Sequence, residues 1–149
     1  MKGEPLRLLL ADDDKDDCFL FEDALKEIPI PTHLVTVADG EKLMELLREM
    51  NGSALPDILF LDLNMPSKDG IQCMAEIKQH KALKDLPVVI FSTSLREDSV
   101  DILYKNGAYY YMRKPGTFTS FKKLIYRVLS VTMEDHCQPS REEFVINDR

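Results

Sequence analysis

Short apolar runs alternate with amphipathic stretches along the chain. The apolar runs are rich in Leu, Ile, Val and Phe, which is typical of strands that are buried on both faces. The amphipathic stretches repeat apolar residues at helical spacing; Leu43, Leu46 and Leu47, for example, recur at i, i+3 and i+4. The pattern predicts strands at 6–11, 33–38, 57–62, 87–92 and 108–112, and helices at 18–28, 41–50, 71–80, 96–106 and 118–131.

Five consecutive strand–helix units predict an α/β fold. A strict alternation of this kind produces a parallel sheet with helices on both faces, joined by right-handed crossovers. Residues that favour helix ends lie where the predicted helices begin and end. Asp39 can cap the start of the second helix, and Gly107 can follow the end of the fourth. Because open parallel sheets bind ligands beyond the carboxyl ends of their strands, we expect functional side chains at that edge.

The net charge of -7 is concentrated in two places. Among 149 residues there are 26 acidic and 19 basic side chains. The run 12–17, called the acidic knot below, reads DDDKDD and carries a net charge of -4, and residues 131–149 carry -3. The remainder is balanced, so the charge argues against nucleic acid as a partner, which would require a basic face.

The number of cysteines and the lengths of the apolar runs indicate the cellular compartment of the protein. Three cysteines at wide spacing are not a disulfide framework, so we expect reduced thiols. The apolar hexamer at 6–11 is too short for a signal peptide, and no apolar run approaches the length of a membrane span. We therefore predict a cytoplasmic protein without a membrane partner.

Side chains that can bind a metal ion or take part in catalysis lie at the ends of four of the five predicted strands. Asp12 and Asp13 end the first strand, Asp62 ends the third, Ser92 ends the fourth, and Lys114 follows the fifth. Three carboxylates at one edge would repel each other unless a cation joined them, and Mg²⁺ suits such oxygen ligands. Sites that catalyse phosphoryl transfer can combine a nucleophilic carboxylate with a metal ion, a hydroxyl group and an ammonium group.

Each of these residues alone has a simpler interpretation. Asp12 and Asp13 could cap the first helix, where the helix dipole favours acids. A strand-end Ser92 could satisfy the backbone, and Lys114 could be solvated. The joint occurrence of all of them at the carboxyl ends of separate strands favours the phosphoryl-transfer site.

Residues 5–130 resemble the receiver domain of two-component response regulators. The motifs that carry the resemblance are LLLADDD at the first strand, LFLDLNMPSKDG at the third, PVVIFSTS at the fourth and YYYMRKP at the fifth. The resemblance implies a flavodoxin-like (βα)5 fold, a doubly wound parallel sheet with strand order 2-1-3-4-5. The long acidic knot and the chain length are most similar to the cyanobacterial phytochrome response regulators.

The resemblance also implies a role for each residue of the site. Asp62 would be the phosphoacceptor, and Mg²⁺ would be bound by Asp13, Asp62 and the backbone carbonyl of Asn64, with Asp12 holding a metal-bound water. Lys114 would contact the phosphoryl group.

Two further residues match the family's switch. Ser92 would be the switch hydroxyl and Tyr111 the switch aromatic, which would rotate from an exposed to a buried position on phosphorylation. The bond from Lys114 to Pro115 would be cis, which would direct the ammonium group inward.

The resemblance implies a signalling protein that catalyses only its own phosphotransfer and dephosphorylation. A sensor histidine kinase or a phosphotransfer protein would be the donor. The output would pass through the face formed by the fourth helix, fifth strand and fifth helix, to a downstream protein or by dimerisation. We expect residues 5–131 to form the receiver domain and residues 132–149 an acidic tail without an output domain.

Some alternatives stay open or are disfavoured at this point. The tail could fray, or its residues 144–146 could pack on the domain or on a second subunit. A hydrolase of the haloacid-dehalogenase type would need a second Asp where this chain has Asn64. A pseudo-receiver would lack part of the site, and a nucleotide-binding flavodoxin-like protein would carry a glycine-rich loop after the first strand.

Overall fold

Strands and helices alternate in the structure as the sequence predicts. The computed structural model describes residues 4–50, 54–134 and 137–147. The strands are β1 Leu6–Ala11, β2 Thr32–Val37, β3 Ile58–Leu61, β4 Val88–Ser92, β5 Tyr110–Arg113 and β6 Val145–Ile146. The helices are α1 Lys15–Lys26, α2 Gly40–Glu49, α3 Gly70–Gln79, α4 Glu97–Lys105 and α5 Phe118–Glu134, followed by a 3₁₀ turn at Arg141–Glu143.

The strands form one parallel sheet in the order β2-β1-β3-β4-β5-β6. The predicted order of the first five strands is confirmed. The sixth strand was not predicted. Because all strands run in one direction, the carboxyl ends of β1, β3, β4 and β5 meet at one edge of the sheet.

Each inner strand contributes side chains to two hydrophobic layers. In β1, Leu9 packs with α2 and α3, and Leu10 packs with α1 and α5 on the opposite face. In β4, Ile90 and Phe91 divide between the same two layers. This two-sided burial explains why the strands appear in the sequence as continuous apolar runs rather than as alternating ones.

Caps set the starts of the helices. The Asp14 carboxylate accepts hydrogen bonds from the backbone amides of Asp16 and Asp17, so α1 begins at Lys15, three residues before the predicted start. The predicted cap of α2 is confirmed, since the Asp39 carboxylate accepts from the backbone amide of Lys42. Gly107 follows α4 with a φ of 93°, in the left-handed region that favours glycine.

The described part of the predicted acidic tail is folded against the domain. Helix α5 continues to Glu134. Residues 137–147, called the C-terminal segment below, contact α4 first and then pair with β5 through Val145 and Ile146. Phe144 is fully buried in this arrangement. Residues 135–136 and 148–149 of the tail lie outside the described residues. Among the described helices, each is too short or too polar to span a bilayer.

Candidate functional site

The predicted site residues converge at the carboxyl edge of the sheet. Asp12 and Asp62 follow β1 and β3 directly and are almost completely buried, at 2% and 5% exposure. Asp13 beside them is exposed. One carboxylate oxygen from each of the three residues lies within 4.8 Å of those of the other two. The loops that follow neighbouring parallel strands therefore bring together carboxylates that are 50 residues apart in the sequence.

The ammonium group of Lys114 lies in the middle of the acidic groups. Its Nζ atom is 2.6 Å from Asp17 Oδ2, 3.0 Å from Asp12 Oδ2 and 3.8 Å from Asp62 Oδ1. It also lies 4.5 Å from the centroid of the Phe91 ring, a cation–π contact. Burial lowers the pKa of Lys114, but the hydrogen bond to Asp17 and the nearby charges of Asp62 and Asp12 outweigh it and raise the pKa overall. The lysine is therefore a fixed positive charge.

Burial makes the charged form of Asp62 expensive. It raises the pKa of Asp62 from 3.8 to about 7; Lys114 opposes the rise and the neighbouring charge of Asp12 adds to it. Burial likewise raises the pKa of Asp12, against the hydrogen bond from the backbone amide of Asp14 and the charge of Lys114. One ammonium group thus does not fully compensate the carboxylates around it.

The donor set fits a hard divalent cation. Three carboxylate oxygens within bonding reach of one centre, one of them on an exposed residue, match the preference of Mg²⁺ or Mn²⁺ for a few carboxylates together with water. A bound cation would also offset the burial and the repulsion from Asp12 that raise the pKa of Asp62. Asn64, the remaining predicted ligand, is exposed beside this cluster, and its backbone amide donates a hydrogen bond to the Asp62 carboxylate.

Ser92 and Tyr111 lie next to the carboxylates and are fully buried. The Tyr111 hydroxyl donates a 2.6 Å hydrogen bond to the carbonyl of Ser94. The Ser94 amide in turn donates to the Ser92 hydroxyl at 3.3 Å. Burial raises the pKa of Tyr111, against hydrogen bonds to the two serines. The structure thus has Tyr111 in the buried one of the two positions that the sequence-based hypothesis assigns to it.

Glycine allows α3 to begin directly beneath Asp62. A Cβ atom on Gly70 would lie 2.5 Å from the carbonyl oxygen of Asp62, so a larger residue would push the two backbones apart. The side chain of Asp69 caps α3 in a reciprocal pair with Gln72. The end of β3 is thereby held against a rigid helix start.

Two features of the site differ from the sequence-based expectation. The predicted cis bond between Lys114 and Pro115 is wrong: the bond is trans. The trans amide is the lower-energy form, and the long lysine side chain reaches Asp12 without a cis bond. Asp17 was expected only to favour the helix start, whereas it also makes the shortest contact to Lys114. The signal available in the sequence was that Asp17 belongs to the acidic knot, which follows the first strand.

Comparisons with known proteins agree with this geometry. The family model of the response regulator receiver domain matches residues 8–126. The response regulator Rcp1 of Synechocystis sp. is 34% identical over 139 residues, which cover 91% of this chain and 95% of that protein.

Solved structures give the same result. The phosphorylated cyanobacterial phytochrome response regulator RcpA is 32% identical with a TM-score of 0.79, over 87% of this chain and 95% of that one. The Mn²⁺-bound form of Rcp1 is 33% identical with a TM-score of 0.76, over 91% of this chain and 100% of that one. The expected similarity to cyanobacterial phytochrome response regulators is confirmed, and the chain belongs to the response regulator receiver domain family.

Proposed function

We propose that the protein accepts a phosphoryl group on Asp62 from a sensor histidine kinase or a phosphotransfer protein, with Mg²⁺ as cofactor. The observation that carries the proposal is the position of Asp62, which is buried and within reach of Asp12, Asp13 and the Lys114 ammonium group. The similar protein Rcp1 has been solved in a Mn²⁺-bound form, which supports the binding of a divalent cation by this chain.

In the proposed reaction an Asp62 oxygen attacks the phosphorus atom of the donor. A P–O bond to Asp62 forms while the P–N bond of the phosphohistidine breaks, and the bonding electron pair leaves with the imidazole. The Lys114 ammonium group lies 3.8 Å from the Asp62 carboxylate, close enough to contact the oxygens of the transferred phosphoryl group. Its positive charge would compensate the negative charge of these oxygens. Asp12, Asp13, Asp62 and the Asn64 carbonyl would hold the cation, which supplies further compensation of charge when bound.

The output is proposed to pass through the face formed by α4, β5 and α5. Ser92 lies near the acceptor and is joined through Ser94 to Tyr111, a chain of contacts between the acceptor and β5. A phosphoryl group that draws the Ser92 hydroxyl toward it would change the position that Tyr111 prefers, which is a population shift between two arrangements. The receiver of this change is a downstream protein or a second copy of the chain.

Labelling with acetyl phosphate and Mg²⁺ tests the acceptor. The wild type should gain one phosphoryl group per chain by intact mass, and Asp62→Asn should gain none. Asp85→Asn, which alters an exposed carboxylate at the opposite edge of the sheet, should label like the wild type. Full labelling of Asp62→Asn would refute the assignment. Light scattering with and without beryllofluoride, a phosphoryl mimic, distinguishes dimerisation from a downstream partner.

A further inference from the structure

The C-terminal segment closes an edge of the sheet that would otherwise be open. Val145 and Ile146 pair in parallel with Tyr111 and Met112 of β5. The backbone amide of Tyr111 donates a 2.9 Å hydrogen bond to the carbonyl of Phe144. An edge strand exposes a row of unpaired amides and carbonyls, which is a template for a further strand. The segment therefore occupies a place where another extended chain could pair its backbone with β5.

Phe144 anchors the segment. It is 0% exposed, and its ring centroid is 5.1 Å from that of Tyr104 and 6.3 Å from that of Tyr111, both edge to face. Tyr104 belongs to α4 and Tyr111 to β5, so the ring fills the cleft between helix and strand. A buried aromatic side chain in such a cleft is the usual source of specificity and affinity in peptide binding.

Polar contacts fix the start of the segment on α4. The Gln138 side-chain amide donates to the carbonyls of Tyr104, in the last turn of α4, and of Ala108, just after the helix, at 2.6 and 2.9 Å. The Tyr104 hydroxyl donates to the Pro139 carbonyl at 2.7 Å.

An ion pair joins the exposed part of the segment to α4. The Arg141 guanidinium lies 2.9 Å from the Asp101 carboxylate and 3.3 Å from that of Glu97, both on the exposed side of α4. The segment thus makes three kinds of contact: a buried aromatic ring, backbone pairing with a strand, and an ion pair at the periphery. An extended peptide that binds to the edge of a sheet makes the same contacts.

We propose that the α4–β5 edge is a docking surface for an extended segment with an aromatic anchor, and that residues 137–147 are its intramolecular occupant. A protein partner binds there by displacing this occupant. The partner segment would pair its backbone with β5, place an aromatic ring between Tyr104 and Tyr111, and carry a basic side chain for Asp101. Only two residues separate Glu134 from Cys137 in the sequence. This short separation keeps the occupant at a high effective concentration, so the surface is closed to weak competitors.

The occupant also restrains Tyr111. The Phe144 ring packs edge to face against the buried Tyr111 ring, so an outward rotation of Tyr111 would break this contact and is favoured when the C-terminal segment leaves. This consequence rests on the proposed function, whereas the docking surface itself does not depend on phosphorylation.

A fluorescent peptide tests the surface directly. The peptide has the sequence of residues 137–147, with serine in place of its cysteine, and its binding to the full chain is followed by anisotropy without phosphodonor. Phe144→Ala in the full chain weakens the intramolecular occupant and should raise the affinity for the peptide at least about tenfold above wild type. A peptide with alanine at the position of Phe144 should not bind.

Controls separate displacement from damage to the fold. Phe19→Ala removes a phenyl ring that is 63% exposed on α1 and should bind the peptide as the wild type does. Arg141→Gln alters only the ion pair at the periphery and should raise the affinity by a smaller factor, so the proposal does not depend on the folding of Phe144→Ala. Equal affinity of wild type, Arg141→Gln and Phe144→Ala, or no binding to any of them, would overturn the proposal. A wild-type dimer that Phe144→Ala converts to monomer would assign the segment to a second copy and overturn the intramolecular assignment.

Discussion

Replacing Asp62 by its neutral isostere should stabilise the metal-free protein at alkaline pH. The reason is the buried cluster of Asp12, Asp62 and Lys114, in which one ammonium group faces more than one carboxylate. Burial raises the pKa of Asp62 to about 7. The substitution Asp62→Asn keeps the size of the side chain and removes the charge that burial disfavours.

The size and direction of the effect follow from proton binding. The unfolded chain releases the Asp62 proton near its ordinary pKa of 3.8, whereas the folded protein holds the proton up to about pH 7. The folded state therefore binds more protons in this window, and the free energy of unfolding falls as the pH rises from about 4 to about 7. One pKa unit corresponds to about 1.4 kcal/mol, so the ionised carboxylate costs the folded state on the order of 4 kcal/mol above pH 7.

Urea unfolding in the presence of a chelator measures this cost. Asp62→Asn should be more stable than the wild type by several kcal/mol at pH 8, and the difference should shrink toward zero near pH 4. Saturating Mg²⁺ should stabilise the wild type, by roughly 3 kcal/mol at a concentration 100-fold above the dissociation constant, and should stabilise the variant much less.

The matched control is Asp85→Asn, which removes an exposed carboxylate and should change the stability by less than about 0.5 kcal/mol at either pH. A variant Asp62→Asn that is no more stable than the wild type at pH 8, or whose advantage is the same at pH 4, would refute the electrostatic reasoning.

Three other substitutions or treatments test single contacts. Asp17→Asn removes the shortest contact of the Lys114 ammonium group and frees it for the phosphoryl group, so labelling by acetyl phosphate should be faster by roughly 3- to 10-fold in a mass-spectrometric time course. Gly40→Ala would place a Cβ atom 2.0 Å from the Lys68 carbonyl oxygen and should cost about 1–3 kcal/mol in urea unfolding. Burial raises the pKa of the Cys73 thiol to about 12, so iodoacetamide at pH 8 should modify it only after unfolding.

Each of these three predictions has a matched control in the same chain. Asp16→Asn makes the same charge change in the same helical turn and should leave the labelling rate within about twofold of wild type. Gly116→Ala meets nothing within 4 Å and should leave the stability unchanged. Exposed Cys137 should be alkylated in the folded protein. If a variant behaves like its counterpart, the contact in question does not have the effect assigned to it.

The sequence predicted the parts of the fold that depend on local patterns. Strands β1, β3 and β4 were found because both of their faces are buried, which produces continuous apolar runs that a surface segment rarely has. The site was found because parallel strands bring their carboxyl ends to one edge, so residue types at Asp12, Asp62 and Lys114 were sufficient to predict that they meet.

The parts that were missed depend on contacts between distant residues. The two-residue strand β6 is too short for any periodicity, and only the apolar group at 144–146 in a charged neighbourhood marked it. The partnership of Asp17 with Lys114 depends on how α1 begins, and the cap at Asp14 moved that start into the acidic knot. The inward position of Tyr111 depends on the hydrogen bond to the Ser94 carbonyl and on packing against Phe144, which lies 33 residues further along the chain.

The central claim is that Asp62 is the residue that carries the phosphoryl group. An aspartyl phosphate is an acyl phosphate, so borohydride reduces the modified side chain to that of homoserine and leaves unmodified carboxylates intact. Peptide mapping after treatment with acetyl phosphate, Mg²⁺ and borohydride should find homoserine at position 62 alone. Homoserine at position 12 or 13, or a phosphorylated protein with an unaltered Asp62, would contradict the account.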